Sequence, residues 1–251
     1  PETQALGTSE ALSLAQGGDV VVKPVFSCSG RGVRIVRRGA ALPEVDLASP
    51  AIVQRLIKGQ EYSSCTIARD GRVVATMVYR GTVMAGSVAI SFERVESPAI
   101  NRWIETFVAG AGWTGFIAFD VFVDAAGKVW GIECNPRATS GLHFWEPDDI
   151  ARAVLDPTGA TPVRVRPQRR LQQFYACLTE AQLAMFRRKG FTDQLKRLFS
   201  TRDVSWEAFD PWPFLSMMFT SWPIMRMAMA ERVPFGEVAT RDVDWYPDGA
   251  A

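Results

Sequence analysis

The sequence predicts an α+β fold, and three observations carry that reading. β-branched and aromatic runs of strand length recur between Val20 and Asn135. Only a few stretches between them have helical spacing. The last two runs are joined by a tight turn. A small lobe is expected over residues 1–54, with a helix from Ser9 to Ala15 and strands from Val20 to Pro24 and Val33 to Arg37. Residues 55–157 are expected to form a larger lobe of antiparallel strands. Its first strand, Ser63 to Ala68, turns at Arg69-Asp70-Gly71-Arg72 into a second that ends near Arg80. A helix follows from about Pro98 to Ala111, then the hairpin, then a short helix from Asp148 to Val154 whose leading acids suit the positive end of a helix.

Residues 158–251 read as a mainly helical C-terminal extension. Thr161 to Pro167 is a linker-like strand. From Leu171 to Lys189 apolar side chains recur at helical spacing, at Leu171, Phe174, Tyr175, Leu178, Leu183 and Phe186. Trp212 to Ala230 is strongly apolar, but Pro213, Pro223 and Arg226 interrupt it. It lacks the roughly 20 clean apolar residues of a membrane span and reads as core, or as a cover over an apolar pocket.

Composition narrows the function classes. With 47% hydrophobic and 22% charged residues the chain has the usage of a soluble, cytoplasmic globular protein. A net charge of +1 gives no electrostatic footprint for nucleic acid. Cys28, Cys65, Cys134 and Cys177 show no C-x-x-C spacing, which argues against structural zinc and a disulfide scaffold.

The hairpin holds the most chemistry. Gly115 to Asp124 and Val129 to Asn135 are apolar strands around a turn at Asp124 to Gly127, and Pro136 stops the pairing. Glu133 and Asn135 are two apart, so on a strand they share a face. Asp120 lies across the hairpin and can project to that face too. Two carboxylates and an amide oxygen form the hard-oxygen set that holds magnesium between a protein and phosphates. Arg137, just beyond, is placed to clamp a phosphoryl oxygen. A hairpin with a merely solvated polar end is the alternative.

This E-x-N-P-R hairpin resembles the metal-binding strands of the ATP-grasp superfamily, and two further segments resemble that family in the required order. Val20-Val-Val-Lys23-Pro24 leads into the small-residue loop Ser27-Cys-Ser29-Gly30-Arg-Gly32. The resemblance implies that Lys23 contacts nucleotide phosphates while Ser27, Ser29, Gly30 and Gly32 bring their amides close to them. Gln54-Arg-Leu56-Ile57-Lys-Gly-Gln-Glu61 is similar to the adenosine segment. There the backbone of Leu56 and Ile57 would meet the adenine edge and Glu61 would accept the ribose hydroxyls; the family often has Glu where Gln54 stands. Pro1-Glu2-Thr3 followed by Ser9-Glu10 is similar to the strand and helix that open the family's nucleotide domain.

What the resemblance implies is an ATP-grasp fold, with two lobes whose antiparallel sheets enclose the nucleotide. ATP and Mg2+ (or Mn2+) are the implied cofactors, with Asp120, Glu133 and Asn135 as metal ligands. Arg137 and Arg80 would neutralise the transferring phosphoryl, with Arg94 a weaker candidate. Ser140 and His143 fall in the loop that lines the acceptor pocket in family members; a structural role for His143 stays open. The implied activity is a ligase that joins a small-molecule carboxylate to an amine or thiol through an acyl phosphate. A non-ligating regulatory module and an ATP-grasp kinase are the alternatives. Complete family members carry a further N-terminal domain, so a missing partner segment, in cis or as a separate chain, is expected. A homodimer is compatible with the resemblance; nucleic acid and membrane are not expected partners.

Overall fold

The computed structural model describes residues 1–26, 30, 32–46, 50–85, 88–178, 191–233 and 238. It divides into two compact units, Pro1–Lys58 with Met227–Ala251, and Gly59–Arg226.

In the first unit a four-stranded antiparallel sheet runs in the order β1 (Thr3–Ala5), β4 (Ala51–Arg55), β2 (Val20–Pro24), β3 (Arg34–Val36). Helix α1 (Ser9–Gly17) starts at Thr8, whose side chain accepts from the Ala11 amide at 3.2 Å, an N-cap that satisfies one otherwise orphaned donor. Its buried residues Ala11, Leu14 and Ala15 pack with Val20, Val22, Val36 and Val53, so alternate residues of β2 supply the sheet side of this core.

The second unit is built on a seven-stranded sheet in the order β11 (Arg202–Asp203), β10 (Arg170–Gln172), β7 (Val88–Arg94), β6 (Arg72–Ala85), β5 (Gly59–Arg69), β8 (Gly115–Asp124), β9 (Val129–Asn135). Every neighbouring pair is antiparallel except β10 with β11. One face is covered by α2 (Pro98–Ala111), which begins at the Ser97 cap with Pro98 in the first turn and ends at Gly112 in the left-handed conformation. Ile100, Ile104 and Val108 of α2 recur at helical spacing and pack with Val78, Ile117, Phe119 and Val121. The opposite face carries Cys65, Ile67, Met77, Tyr79 and Phe92, covered by the 3-10 turn Ser140–Phe144, by Trp145 and by Ala153 of α3 (Pro147–Leu155). Beyond lie α4 (Phe191–Ser200) and the larger part of α5 (Trp212–Glu231), which contains Pro223 and whose residues from Met227 are counted with the first unit. No helix among the described residues is long and apolar enough to cross a membrane.

Three expectations change. Leu171 is not in a helix. It lies in β10, paired with Phe92 of β7, and the helical residues begin at Phe174; a free ladder edge on β7 overrides the local periodicity, and residues 179–189 of the expected helix lie outside the described set. Thr161 to Pro167 forms no strand beyond a single bridge between Trp145 and Val165. The strand expected to end near Arg80 continues to Ala85, because bulges at Gly81/Val83 and Val83/Met84 let β6 keep pairing with β7. Through β10 and β11, residues past 157 thus extend the sheet itself.

Candidate active site

The hairpin β8–β9 is fixed first by its turn. Asp124 accepts from the amides of Ala126 (2.9 Å) and Lys128 (3.0 Å) and from the Trp130 indole (2.8 Å), and Gly127 adopts φ 79°. From this turn the register runs regularly, Val123 opposite Val129, Phe122 opposite Trp130, Val121 opposite Gly131. It then slips by one residue, so that Asp120 faces Glu133 and Ala118 faces Asn135. The extra residue is Ile132. Without this bulge Asp120 would stand opposite Ile132, and Glu133 opposite Phe119, on the face covered by α2. A one-residue slip exchanges faces, so here the bulge brings the two carboxylates together.

The same face extends across β5. Ser63 lies opposite Asp120 and donates to its Oδ1 at 2.6 Å. Burial pushes the Asp120 carboxyl above its ordinary value, and the Glu133 charge adds to this; the Ser63 hydrogen bond and the Arg137 charge oppose it. Glu61, two residues before Ser63, is likewise raised, by crowding of its surroundings first and by the Asp120 charge second, although its side chain is exposed. Asn135 donates its Nδ2 to Glu133 Oε1 at 3.0 Å. These groups share a surplus of negative charge that a cation would relieve.

Among the described residues no three His, Cys, Asp or Glu side chains cluster to hold a metal by themselves. Asp120 and Glu133 supply two anionic oxygens, and Asn135 offers a third oxygen once its amide turns from Glu133. That donor set fits magnesium or manganese, which take the balance of their ligands from phosphate and water.

Past Arg137 the chain returns over the sheet. The Thr139 hydroxyl donates to the Ser64 carbonyl at 2.9 Å, and buried Gly141 sits on Cys65 and Tyr79. Half-buried Ser140 and His143 ride on this turn. Burial lowers the His143 pKa, Arg166 lowers it further and Asp203 partly opposes, so the ring is neutral at pH 7. Burial drives Tyr79 to about 12, which keeps it a protonated phenol.

Arg80 does not join the acids. Tyr79 pairs with Ser63 on the acid-bearing face, so the next residue points to the opposite one. Its Nε and Nη2 donate to Glu93 Oε2 at 3.1 and 2.7 Å. Arg94 donates to the Arg166 carbonyl at 3.3 Å. Ser63 and Tyr79 were not singled out from the sequence, and only the strand register reveals them.

In the first unit Lys23 stands opposite Ile52 in β2. Gln54 is buried and donates to the Thr3 hydroxyl at 2.9 Å. The Leu56 amide donates to the Asp19 carbonyl at 3.0 Å, so an adenine contact through that residue would use its carbonyl. Gly30 and Gly32 adopt φ 70° and 73°, and a Cβ at Gly32 would come within 2.7 Å of Pro24 Cγ. Ser27 and Ser29 lie outside the described residues.

Residues 6–141 match the family model of the ATP-grasp domain. The chain belongs to the ATP-grasp family. Its fold is similar to that of phosphoribosylamine–glycine ligase from Thermotoga maritima, with a TM-score of 0.50, 17% identity, and 66% of this chain and 52% of that one covered. Other matches are N5-carboxyaminoimidazole ribonucleotide synthetase from Thermotoga maritima (TM-score 0.41, 20% identity, covering 57% and 39%) and D-alanine–D-alanine ligase from Bacillus anthracis (0.39, 18%, 54% and 50%). The chain spans about half the length of the first of these. No curated protein matches it. The ATP-grasp match ends at residue 141, so β10, β11, α4 and α5 lie outside it.

Proposed function

We propose that this chain is the nucleotide- and metal-binding part of an ATP-dependent ligase that activates a carboxylate as an acyl phosphate for attack by an amine or thiol. One observation supports this above the others. The Ile132 bulge sets Asp120 against Glu133, with Asn135 on the same face, within a segment that matches the ATP-grasp domain. In this reading residues 1–54 supply the phosphate contacts, through Lys23 and the loop from Ser27 to Gly32, and part of the adenosine segment. Residues 55–157 supply Glu61 for the ribose and the metal ligands.

Asp120, Glu133 and Asn135 would hold magnesium, which when bound supplies positive charge against the phosphates. Ser63 orients Asp120 through its 2.6 Å hydrogen bond, so the carboxylate is placed before any cation arrives. Arg137 offers a guanidinium whose charge already bears on Asp120 and would neutralise a phosphoryl oxygen. A carboxylate oxygen of the substrate would form the new bond to the γ-phosphorus as ADP leaves. The nucleophile would then take the acyl carbon, losing a proton as phosphate departs. Neutral His143, beside Ser140, suits a hydrogen bond to the acceptor.

An ADP-release assay on the full-length protein, with panels of carboxylates and amines, tests this. ADP release that depends on both substrates supports ligation. A phosphorylated product without a nucleophile identifies a kinase instead. Glu133→Gln should reduce turnover by at least about a hundredfold, as expected when a charged ligand of an essential cation is lost, with an unchanged melting curve. Normal turnover in that variant rejects the metal assignment.

A further inference from the structure

On the sheet face opposite the acids, Arg80, Arg170, Arg197, Glu93, Gln60 and Thr201 are among the residues that line a cavity of about 500 Å3. Its charge balance is unequal. Glu93 is 3% exposed and is the only acid among the described residues of the lining. Arg80 grips Oε2, and Arg170 grips Oε1 through Nε (3.2 Å) and Nη2 (3.1 Å). Arg169 adds a third contact at 3.4 Å. Hydrogen bonds from Arg80 hold the Glu93 carboxyl below its ordinary range, so it stays ionised.

Arg80 and Arg170 therefore spend the same edge on Glu93, and the Nη1 of each has no hydrogen-bond partner among the described residues. One buried carboxylate thus fixes two forks without neutralising both. The Arg197 side chain, from α4, makes no hydrogen bond or ion pair with a described residue, while its backbone carbonyl accepts from Thr201 and Ser200. Among the described residues, three guanidinium groups against one carboxylate leave a surplus of two positive charges on the cavity wall. The volume is in the range of small-molecule sites, and a planar fork with free N–H groups matches phosphate or carboxylate oxygens.

We propose that this cavity is a binding site for a small organic anion, a phosphate ester or a carboxylate, separate from the acid cluster on the other face. Tyr79 and Arg80 are successive residues pointing to opposite faces, so the two clusters are divided by the sheet itself. Arg170, Arg197 and Thr201 lie beyond the segment that matches the ATP-grasp domain, so the site belongs to what this chain adds to that domain.

The test is a titration of the full chain, without nucleotide, by inorganic phosphate and in parallel by succinate, read by calorimetry. Arg197→Gln is the informative variant, because that side chain supports no described partner, whereas Arg170→Gln would also unsettle buried Glu93. Loss of one charge-assisted contact should weaken the preferred anion by about tenfold or more. Arg102→Gln, on the exposed side of α2, should leave the affinity unchanged and so controls for diffuse charge. Phosphate preferred over succinate marks the ligand as a phosphate ester, and the reverse marks it as a carboxylate. The proposal is overturned if neither anion saturates by about 10 mM, or if Arg197→Gln and Arg102→Gln behave alike. Because the titration contains no ATP, its failure leaves the ligase reading standing, and the converse holds for the ADP-release assay.

Discussion

Gly141 offers a sharp test of how the turn after the β8–β9 hairpin is seated. A Cβ added there would lie 2.7 Å from Cys65 Cβ and 2.9 and 3.1 Å from Tyr79 Cε1 and Cδ1. Ordinary carbon contacts sit at about 3.5–4.0 Å, so the turn must lift by about 1 Å or the sheet must give. Neither neighbour has an easy escape. Cys65 Cβ is attached to a strand paired on both sides and fully buried. The Tyr79 ring is held by Phe92 and Phe144, at centroid distances of 5.8 and 6.4 Å. Lifting the turn would strain the 2.9 Å bond from Thr139 to the Ser64 carbonyl.

Overpacking of this kind costs about 1–3 kcal/mol, and weakening the Thr139 bond adds up to about 1 kcal/mol. The lower entropy of unfolded alanine returns about 0.4–1 kcal/mol. Gly141→Ala should therefore destabilise by about 1–3 kcal/mol. Gly110→Ala is the matched control, since it sits exposed in α2 with nothing within 4 Å of the added methyl. That change should stabilise by about 0.5–1 kcal/mol. Urea unfolding of the two variants should move the midpoint in opposite directions at constant slope. A Gly141→Ala midpoint at or above the parent would refute the seating of this turn on Cys65 and Tyr79.

Three further outcomes are expected. Phe119→Ala should lose about 3–5 kcal/mol in the same urea assay, because the ring is 1% exposed and meets Trp103 and Phe107 edge-on at 5.2 and 4.8 Å. Asp149→Asn should lower the melting temperature at neutral pH, and the deficit should shrink in acid. Hydrogen bonds from Arg164 and then Arg152 hold this carboxyl well below its ordinary value, so its contribution is present above the unfolded pKa of about 3.9 and fades as pH falls towards the folded one; a deficit independent of pH would show that the ion pairs are not its cause. The chain has one histidine, so its imidazole resonances can be followed without ambiguity and should titrate below about 6.5, since burial disfavours the charged ring. A higher midpoint would mean that Asp203 outweighs burial and Arg166.

The hairpin was legible because alternation of Phe, Val and Ile with a Gly turn is a strong local signal. The reason its acids meet was not. Strict alternation counted back from the turn would set Glu133 against Phe119 in the α2 core, and the observed pairing depends on the bulge at Ile132. The available signal was Gly131, a glycine inside a strand pattern, which marks a bulge or a close approach. Both apply, since a Cβ there would come within 2.7 Å of Trp103. Arg80 misled for a related reason. Its position by sequence is next to Tyr79, but a strand sends neighbours to opposite faces, and only the register of β5 with β6 tells which face holds the acids. Leu171 has apolar neighbours that continue at helical spacing, whereas its partner on the edge of β7, Phe92, is 79 residues away in sequence.

A single register therefore governs both charged clusters. Ser63 stands opposite Tyr79 on one side and opposite Asp120 on the other, which fixes the acid face of β5, β6 and β8 together. Glu61 follows Ser63 to that face, while Gln60 and Arg80, each one residue out of phase, go to the arginine-lined cavity. Moving β6 by one residue would carry Arg80 towards the acids and Tyr79 into the α2 side. The apolar pattern forbids this, because Val78 belongs with Ile100 and Ile104, and Met77 and Tyr79 with Phe144 and Trp145. Burial of those two sets of side chains is the force that keeps the acid-bearing face and the arginine-bearing face back to back on one sheet. The sites are specified by the cores beneath them, so substitutions that loosen either core should blunt both clusters before they unfold the chain.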